Sequence, residues 1–207
     1  MSDVEGSASR QRAQRKFRLF IGVAICDEIR KECAEIAERL RARQPNLRFV
    51  EPENYHLTLA FLGNVDAQRV PEVEAALAAV ASHHEHLEVT LNRVGAFPHE
   101  RTPRIIFIGS RGADRRYRAL AAGVRAACTH LGFTVDEKDD IPHVTIARTS
   151  DRRRATLPLI EVAPISVHVT DLTLFESVPY EERTQYVTLA RSRLRSSLGG
   201  EGRVSEA

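Results

Sequence analysis

A histidine and a threonine at alternate positions of an apolar run occur twice in the chain, and this pattern limits how the chain can fold. Residues 55–61 read YHLTLAF and residues 141–148 read IPHVTIAR, so both follow the template His-apolar-Thr-apolar-Ala. In a β-strand, residues i and i+2 project from the same face. Each copy therefore predicts a strand with a polar stripe on one face and apolar side chains on the other. The histidines are 87 residues apart, which predicts two halves of similar build.

Apolar periodicity in the rest of the chain favours paired strands alternating with single helices. Period-3.6 patterns predict helices over residues 27–43, 67–81 and 113–131. The predicted strands cover residues 17–25, 48–50, 55–63, 87–94, 103–109, 143–148, 165–177 and 185–191. Because the strands arrive in pairs, the sequence predicts an α+β fold with antiparallel sheets and two pseudo-symmetric lobes.

The 207 residues suit one domain, which we place at residues 17–195. Residues 1–16 carry several arginines without apolar periodicity and are predicted to form a flexible basic tail, and residues 196–207 a second flexible tail.

Charge and cysteine content exclude some classes of partner and compartment. The net charge is only +2, so any site for an anion must be local. Three widely spaced cysteines fit neither a disulfide framework nor a CxxC metal pair, which favours a reducing compartment, and we expect the cytoplasm. No apolar run approaches the roughly 20 residues of a membrane span.

The side chains of the two polar stripes, His56, Thr58, His143 and Thr145, could together cleave a phosphoester. One neutral imidazole can take a proton from attacking water, while a protonated imidazole gives one to the leaving ribose oxygen. The threonine hydroxyls can hold the non-bridging oxygens, and no metal is needed for these steps. Arg148 could pair with the phosphate, but in a continuous strand it would lie on the opposite face, so its use requires a bulge or the end of the strand.

Each of these patterns also has a purely structural explanation. The two stripes could be polar strand positions that local hydrogen bonds satisfy. A third triplet, HVT at 168–170, continues into an aspartate and is predicted to lie on the solvent side of a half-buried strand. The histidines of SHHEHLE, residues 82–88, have no matching ligand cluster elsewhere and are predicted to be exposed polar sequence, with no metal site.

With their flanks, the two stripes resemble the HxTx motifs of the 2H phosphoesterase superfamily, and more narrowly the RNA 2′,3′-cyclic phosphodiesterases, also called 2′-5′ RNA ligases. RLFIGVAI resembles that family's first strand, VGAFPHERTPRIIFIG resembles an internal stretch, and LTLFESV with YVTLAR resembles the closing strands. The resemblance covers residues 17–191. Phe107 stands where relatives often carry tryptophan.

The resemblance implies two lobes, each an antiparallel sheet with flanking helices, around a central cleft. It implies an enzyme that opens RNA-terminal 2′,3′-cyclic phosphates to 2′-phosphates without a metal or nucleotide cofactor, and some members also join tRNA halves reversibly. His56 and His143 would be catalytic, with His56 predicted to protonate the leaving 3′ oxygen and His143 to activate water. Thr58, Thr145 and Arg148 would bind the phosphate.

The expected partner is RNA or an oligonucleotide with a 2′,3′-cyclic phosphate end, the expected state is a monomer, and no membrane is involved. Two alternatives remain open on the same fold. One is a non-catalytic nucleotide-binding module, and the other is a phosphodiesterase for small nucleotide cyclic phosphates.

Overall fold

The computed structural model describes residues 15–112, 114–136, 141–149, 157–181 and 183–196. The two predicted tails fall almost wholly outside these ranges. Within them, no helix is long and apolar enough to cross a membrane.

Ten strands and three α-helices follow one another through the described residues. They are β1 (Lys16–Ala24), α1 (Asp27–Arg43), β2 (Arg48–Phe49), β3 (His56–Asp66), α2 (Val70–Ser82), β4 (Leu87–Leu91), β5 (Arg93–Phe97), β6 (Ile105–Gly109), α3 (Arg115–His130), β7 (His143–Arg148), β8 (Ile165–Val169), β9 (Asp171–Tyr180) and β10 (Arg183–Arg193). A 3₁₀ turn, Pro52–Asn54, comes just before β3. The first predicted helix, residues 27–43, coincides with α1.

Most strands belong to one antiparallel sheet in the order β10-β9-β1-β3-β7-β6-β5, with β2 paired to β7. The two His-x-Thr strands, β3 and β7, are neighbours at its centre, and they pair at a single position, Leu57 opposite Val144. The sheet is therefore two antiparallel half-sheets joined at one residue pair. This confirms the predicted α+β fold with two lobes.

The helices form because their apolar residues recur on one face and bury against the sheet. In α1 the buried stripe is Ile29, Cys33, Ile36, Ala37 and Leu40. The side chain of Asp114 caps α3 by accepting hydrogen bonds from the backbone N–H groups of Arg116 and Tyr117. On the strands, Leu57, Val144 and Ile146 are fully buried, which leaves the polar stripes on the other face of the sheet.

Two predicted strands are divided in the structure. The segment 87–94 breaks at Asn92 and the segment 165–177 breaks at Thr170, because β4 and β8 pair in a separate two-stranded sheet before the chain crosses to the large one. At both breaks the apolar alternation slips by one residue, from 87, 89 and 91 to 94 and 96, and from 165, 167 and 169 to 172 and 174, a signal that sequence reasoning missed. His168 lies on the exposed face of β8, as predicted for the third triplet.

Candidate active site

Both His-x-Thr strands carry a β-bulge at the same place in the motif. Against β1, Thr58 and Ala60 pair with consecutive residues, so Leu59 is the extra residue of β3. Against β6, Thr145 and Ala147 pair with consecutive residues, so Ile146 is the extra residue of β7. A bulge shifts the alternation of side chains by one residue.

The bulges explain how Arg148 reaches the polar face. In both motifs the two residues after the threonine are buried, and the next residue is exposed. That exposed residue is Phe61 in the first motif and Arg148 in the second, and both line the same cavity as the histidines. The bulge that the sequence required for Arg148, but could not reveal, is present at Ile146.

A cavity of about 730 Å³ lies over β3 and β7. All five predicted site residues, His56, Thr58, His143, Thr145 and Arg148, line it. Other side chains around it are Asn54, Phe61, Phe97, Arg104, Ile141 and Tyr186. The structure thus brings together residues from opposite halves of the chain.

The pairing of the two central strands fixes how the motifs face each other. Leu57 lies opposite Val144 in antiparallel register. One step further along the strands, this register sets His56 beside Thr145 and Thr58 beside His143. The two histidines therefore lie at diagonal corners of a four-residue cluster with a local two-fold axis.

Each imidazole is anchored through the same ring nitrogen. Nδ1 of His56 donates to the carbonyl oxygen of Asn54, and Nδ1 of His143 donates to that of Ile141, both at 2.7 Å. A hydrogen on Nδ1 leaves Nε2 as the proton-exchanging atom in both rings. Nε2 of His56 lies 2.9 Å from the hydroxyl oxygen of Thr58.

Aromatic rings fix both imidazoles from the side. The ring of His56 lies 4.7 Å from that of Phe20 and meets Tyr186 edge-on at 5.1 Å. The ring of His143 lies 5.1 Å from both Phe97 and Phe107. Phe107, at the position where relatives often carry tryptophan, is only 1% exposed. It therefore packs against His143 from the core and does not present a face to a base.

The surroundings of His56 disfavour its charged form. Burial lowers the pKa of His56 from 6.5 to about 4, and the positive charges of His143 and Arg148 act in the same direction. The hydrogen bond to the Asn54 carbonyl opposes this shift. The protein's own groups therefore favour the neutral form of His56 at pH 7.

Sequence reasoning missed the side chains that hold His56 in place. The amide of Asn54 bridges to β10, donating from Nδ2 to the carbonyl oxygen of Thr184 at 2.6 Å and accepting from the backbone N–H of Tyr186 at 3.1 Å. These contacts span about 130 residues of chain, so no local pattern reveals them.

One sequence signal for the supporting rings did exist. The tripeptide FIG occurs at 20–22 and at 107–109, at the same 87-residue separation as the histidines. Phe20 and Phe107 each contact the histidine of their own half. The pairing of FIG with the motif strand differs by two residues between the halves. Gly22, the last residue of the first tripeptide, lies opposite Thr58, whereas Phe107, the first residue of the second tripeptide, lies opposite Thr145.

Across the described ranges, no group of three or more His, Cys, Asp or Glu side chains is arranged to hold a metal ion. Among the histidines of residues 82–88, Nδ1 of His83 donates to the carbonyl oxygen of Ala79 at 2.8 Å, whereas Nε2 of His86 is buried without a hydrogen-bond partner.

Two lobes that each bring one His-x-Thr strand to a shared cleft define the 2H class of phosphoesterases. The chain belongs to the LigT-like phosphoesterase family, whose model matches it twice, over residues 23–107 and 108–186. The second match begins inside β6, so each match contains one of the two motifs.

Named relatives and solved structures agree with this assignment. The chain is 32% identical over 163 residues to an RNA 2′,3′-cyclic phosphodiesterase of Thermotoga maritima, covering 77% of this chain and 86% of that protein. It is 29% identical over 174 residues to the protein of the same name from Bacillus subtilis, covering 79% and 92%.

Among solved structures, TT0787 of Thermus thermophilus superposes with a TM-score of 0.74 at 26% identity, covering 86% of this chain and 98% of that one. Escherichia coli LigT complexed with 3′-AMP gives a TM-score of 0.68 at 26% identity, covering 87% and 99%.

Proposed function

We propose that the protein hydrolyses 2′,3′-cyclic phosphate ends of RNA or oligonucleotides to 2′-phosphates, using His56 and His143 as acid and base. The observation that supports this most is the diagonal pair of imidazoles. Both are anchored at Nδ1, and both line one cavity together with Thr58 and Thr145. Binding a phosphate alone does not need two proton-transfer groups. The names of the relatives from Thermotoga maritima and Bacillus subtilis point to the same reaction.

In the proposed reaction, water attacks phosphorus and gives its proton to Nε2 of His143. The bond between phosphorus and the 3′ oxygen breaks, and Nε2 of protonated His56 gives its proton to that oxygen. Thr58, Thr145 and Arg148 hold the non-bridging oxygens, where negative charge builds up. The product is a 2′-phosphate with a free 3′ hydroxyl. Both proton transfers are assigned to side chains, so no step of the proposal uses a metal.

The same two groups can also transfer the cyclic phosphate to a ribose hydroxyl in place of water, and they can run that transfer backwards. Ligation through a 2′-5′ linkage would follow if a 5′ hydroxyl of a second RNA takes the place of water. In that case His143 again accepts the proton of the attacking oxygen and His56 again protonates the 3′ oxygen.

We place the activity in the cytoplasm, because Cys26, Cys33 and Cys128 are all free thiols.

The acid role of His56 depends on the substrate. The protein's own groups lower the pKa of His56 to about 4, so its protonated form is not favoured at pH 7 until the substrate binds. A bound phosphate carries negative charge between the two rings and offsets the charges of His143 and Arg148. The proton on His56 therefore becomes favourable when the substrate is bound, which is when the mechanism needs it.

An RNA oligonucleotide with a 2′,3′-cyclic phosphate end tests the proposal when it is incubated with the protein in EDTA. We expect a 2′-phosphate product from the wild type and at least a 100-fold slower reaction from His56→Ala and His143→Ala. His168→Ala is the matched control, because His168 belongs to the exposed third triplet and should react as the wild type does.

Two results would contradict the proposal. A wild-type protein that forms no product, or that needs added metal, excludes the metal-free hydrolysis. AMP binding that survives His56→Ala combined with His143→Ala, with no turnover by the wild type, would instead identify a nucleotide-binding module. A panel with small nucleotide cyclic phosphates in the same assay ranks the substrates.

A further inference from the structure

Strand β7 has a different neighbour at each end of its motif. Its beginning pairs with β3 at Val144, and its end pairs with β2, where Arg48 lies directly opposite Arg148. Residues that are opposite each other in an antiparallel pair project from the same face of the sheet. Arg48 therefore lies on the face that carries Arg148 and the cavity.

The residues that follow Arg48 give it the same orientation. Val50, two residues further on, lines the cavity, and its backbone N–H continues the pairing by donating to the carbonyl oxygen of Ile146 at 2.9 Å. The ring of Phe49 lies on the other side, 4.5 Å from the guanidinium carbon of Arg41 on α1. Since alternate residues of an extended chain share a face, Arg48 projects to the same side as Val50. Arg48 is exposed and lies outside the cavity lining, so it stands at the rim.

A third arginine completes a row across three neighbouring strands. Arg104 comes just before β6, on the other side of β7, and its carbonyl oxygen accepts from the N–H of Thr149 at 3.1 Å. Its side chain lines the cavity. Neighbouring strands lie about 4.8 Å apart, so Arg104, Arg148 and Arg48 follow one another across the sheet.

In the part of the chain that the structure describes, no carboxylate pairs with any arginine of this row. The arginines that do pair with a carboxylate there are Arg30, Arg41, Arg69, Arg93, Arg116, Arg183 and Arg195. Glu51, the acid nearest to Arg48 along the chain, contacts Arg183 on β10 at 2.6 Å. Like charges on adjacent strands repel each other, so an anion bound between them is stabilising.

We propose that Arg48 and Arg104 form a second anion site, which binds the phosphate on the 5′ side of the ribose that carries the cyclic phosphate. The inference rests on the proposed function, in which Arg148 serves the cyclic phosphate itself. An RNA end carries a 5′-side phosphate, because its last ribose is joined to the chain through the 5′ oxygen. A nucleoside 2′,3′-cyclic phosphate has none. The site thus makes RNA ends the preferred class of substrate.

The position of Arg48 at the rim suits this phosphate. The cyclic phosphate has to lie inside the cavity with the two histidines, whereas the rest of an RNA chain has to leave it. The planar fork of an arginine can donate two hydrogen bonds to the non-bridging oxygens of a phosphodiester. Because the net charge of the whole chain is only +2, the local row supplies an attraction that the molecule as a whole lacks.

A matched pair of substrates tests the inference. Adenosine 2′,3′-cyclic phosphate and the same nucleotide with a 5′-phosphate differ only in the group that the site should bind. We expect the wild type to open the 5′-phosphorylated ring with a kcat/KM about tenfold higher, and we expect Arg48→Gln to lower this preference about fivefold. Added salt should also lower the preference of the wild type, because salt screens the attraction. A wild type without the preference, or an Arg48→Gln variant that keeps it in full, overturns the inference.

Further variants keep the test decisive if Arg48→Gln is inactive. Arg48→Lys keeps the charge and should keep most of the preference, whereas Arg104→Gln should lower it as Arg48→Gln does. An Arg104→Gln variant with the wild-type preference overturns the inference. Arg18→Gln is the matched control, because Arg18 is an exposed arginine on β1 of the same sheet, opposite the neutral Asn64. An equal loss in this control would assign the effect to overall charge and overturn the local site.

A dinucleotide with a 2′,3′-cyclic phosphate end tests whether the phosphate of an RNA chain occupies the site. It should react at least as fast as the 5′-phosphorylated mononucleotide, because both carry a phosphate on the 5′ oxygen of the last ribose. A dinucleotide that reacts more slowly than the nucleoside cyclic phosphate excludes an RNA chain from the site and overturns the inference. If the wild type opens none of the three rings, the proposed function itself fails, so the two failures are distinguished.

Discussion

Gly22 lies so close to His56 that a Cβ atom on this glycine would be 3.4 Å from Cδ2 of the imidazole. The same atom would be only 2.4 Å from the carbonyl oxygen of Leu57. Strand β1 thus passes directly beside the backbone that carries the first motif. Because β1 has no side chain at Gly22, the imidazole of His56 can lie directly beside this strand. The close approach helps to fix the orientation of the ring.

We predict that Gly22→Ala lowers both stability and activity. A contact of 2.4 Å with a backbone oxygen forces β1 and β3 apart, at a cost of about 1–3 kcal/mol in the free energy of unfolding. Denaturant unfolding and the rate of ring opening measure the two effects. Gly112→Ala is the control, because nothing lies within 4 Å of a Cβ there. Equal stability of the two variants would contradict the close approach.

We predict that Asn54→Ala slows catalysis more than it weakens substrate binding. Asn54 joins β10 to the turn before β3, and its carbonyl accepts from Nδ1 of His56. Without the side chain, Tyr186 loses its backbone bond and the imidazole loses its support, so kcat should fall about tenfold. Steady-state kinetics separate kcat from KM. Asn64→Ala on the exposed end of β3 should leave both constants at their wild-type values, and an equal loss there would show that the bridge has no special role.

The pH dependence of the reaction should separate the two histidines. In the proposed mechanism His143 must be neutral and His56 protonated, which gives a bell-shaped profile. We expect His143→Ala to remove the acidic limb and His56→Ala to remove the basic limb from the residual activity. Profiles of the same shape in both variants would rule out separate roles for the two rings.

Folding stability should fall as the pH is lowered from 6.5 towards 4. The unfolded chain protonates His56 near its ordinary pKa of 6.5, whereas the folded chain does so only near pH 4. The unfolded state therefore binds more protons in this window, which lowers the free energy of unfolding by up to about 3 kcal/mol. Water that reaches the cleft screens the charge of His56 and makes this loss smaller. Denaturant titrations at pH 7 and pH 4.5 should show a smaller loss for His56→Gln than for the wild type. His168→Gln, in which an exposed histidine is replaced, should show the full loss.

The fold was largely predictable because its signals are local. Helix α1 follows from a stripe of apolar residues spaced at the helical period, and the two motif strands follow from strict alternation. The breaks at Asn92 and Thr170 were also marked in the sequence, because the apolar alternation changes phase at each of them, but the sheet to which each new strand belongs leaves no local signal. Which strand pairs with which depends on contacts between distant residues.

The site was predictable only in part, for the same reason. The doubled template identifies the histidines and threonines as candidates, but the side on which Arg148 emerges depends on a bulge at Ile146, which leaves no mark in composition. Asn54 and Tyr186 support His56 through hydrogen bonds and ring contacts across most of the chain. In a regular strand Phe61 would lie on the apolar face with Leu57 and Leu59, and the bulge at Leu59 turns it towards the cleft.

Each half of this chain contributes one imidazole and one hydroxyl, and the two strands that carry these groups pair at a single position, Leu57 opposite Val144. A chain of half the length would hold only half of the cluster, but paired with a copy of itself it would present the same four groups around a true two-fold axis. In such a homodimer every residue would be duplicated. Joining the halves in one chain allows a single position to change on one side only, and Phe61 and Arg148 show where the two sides have diverged.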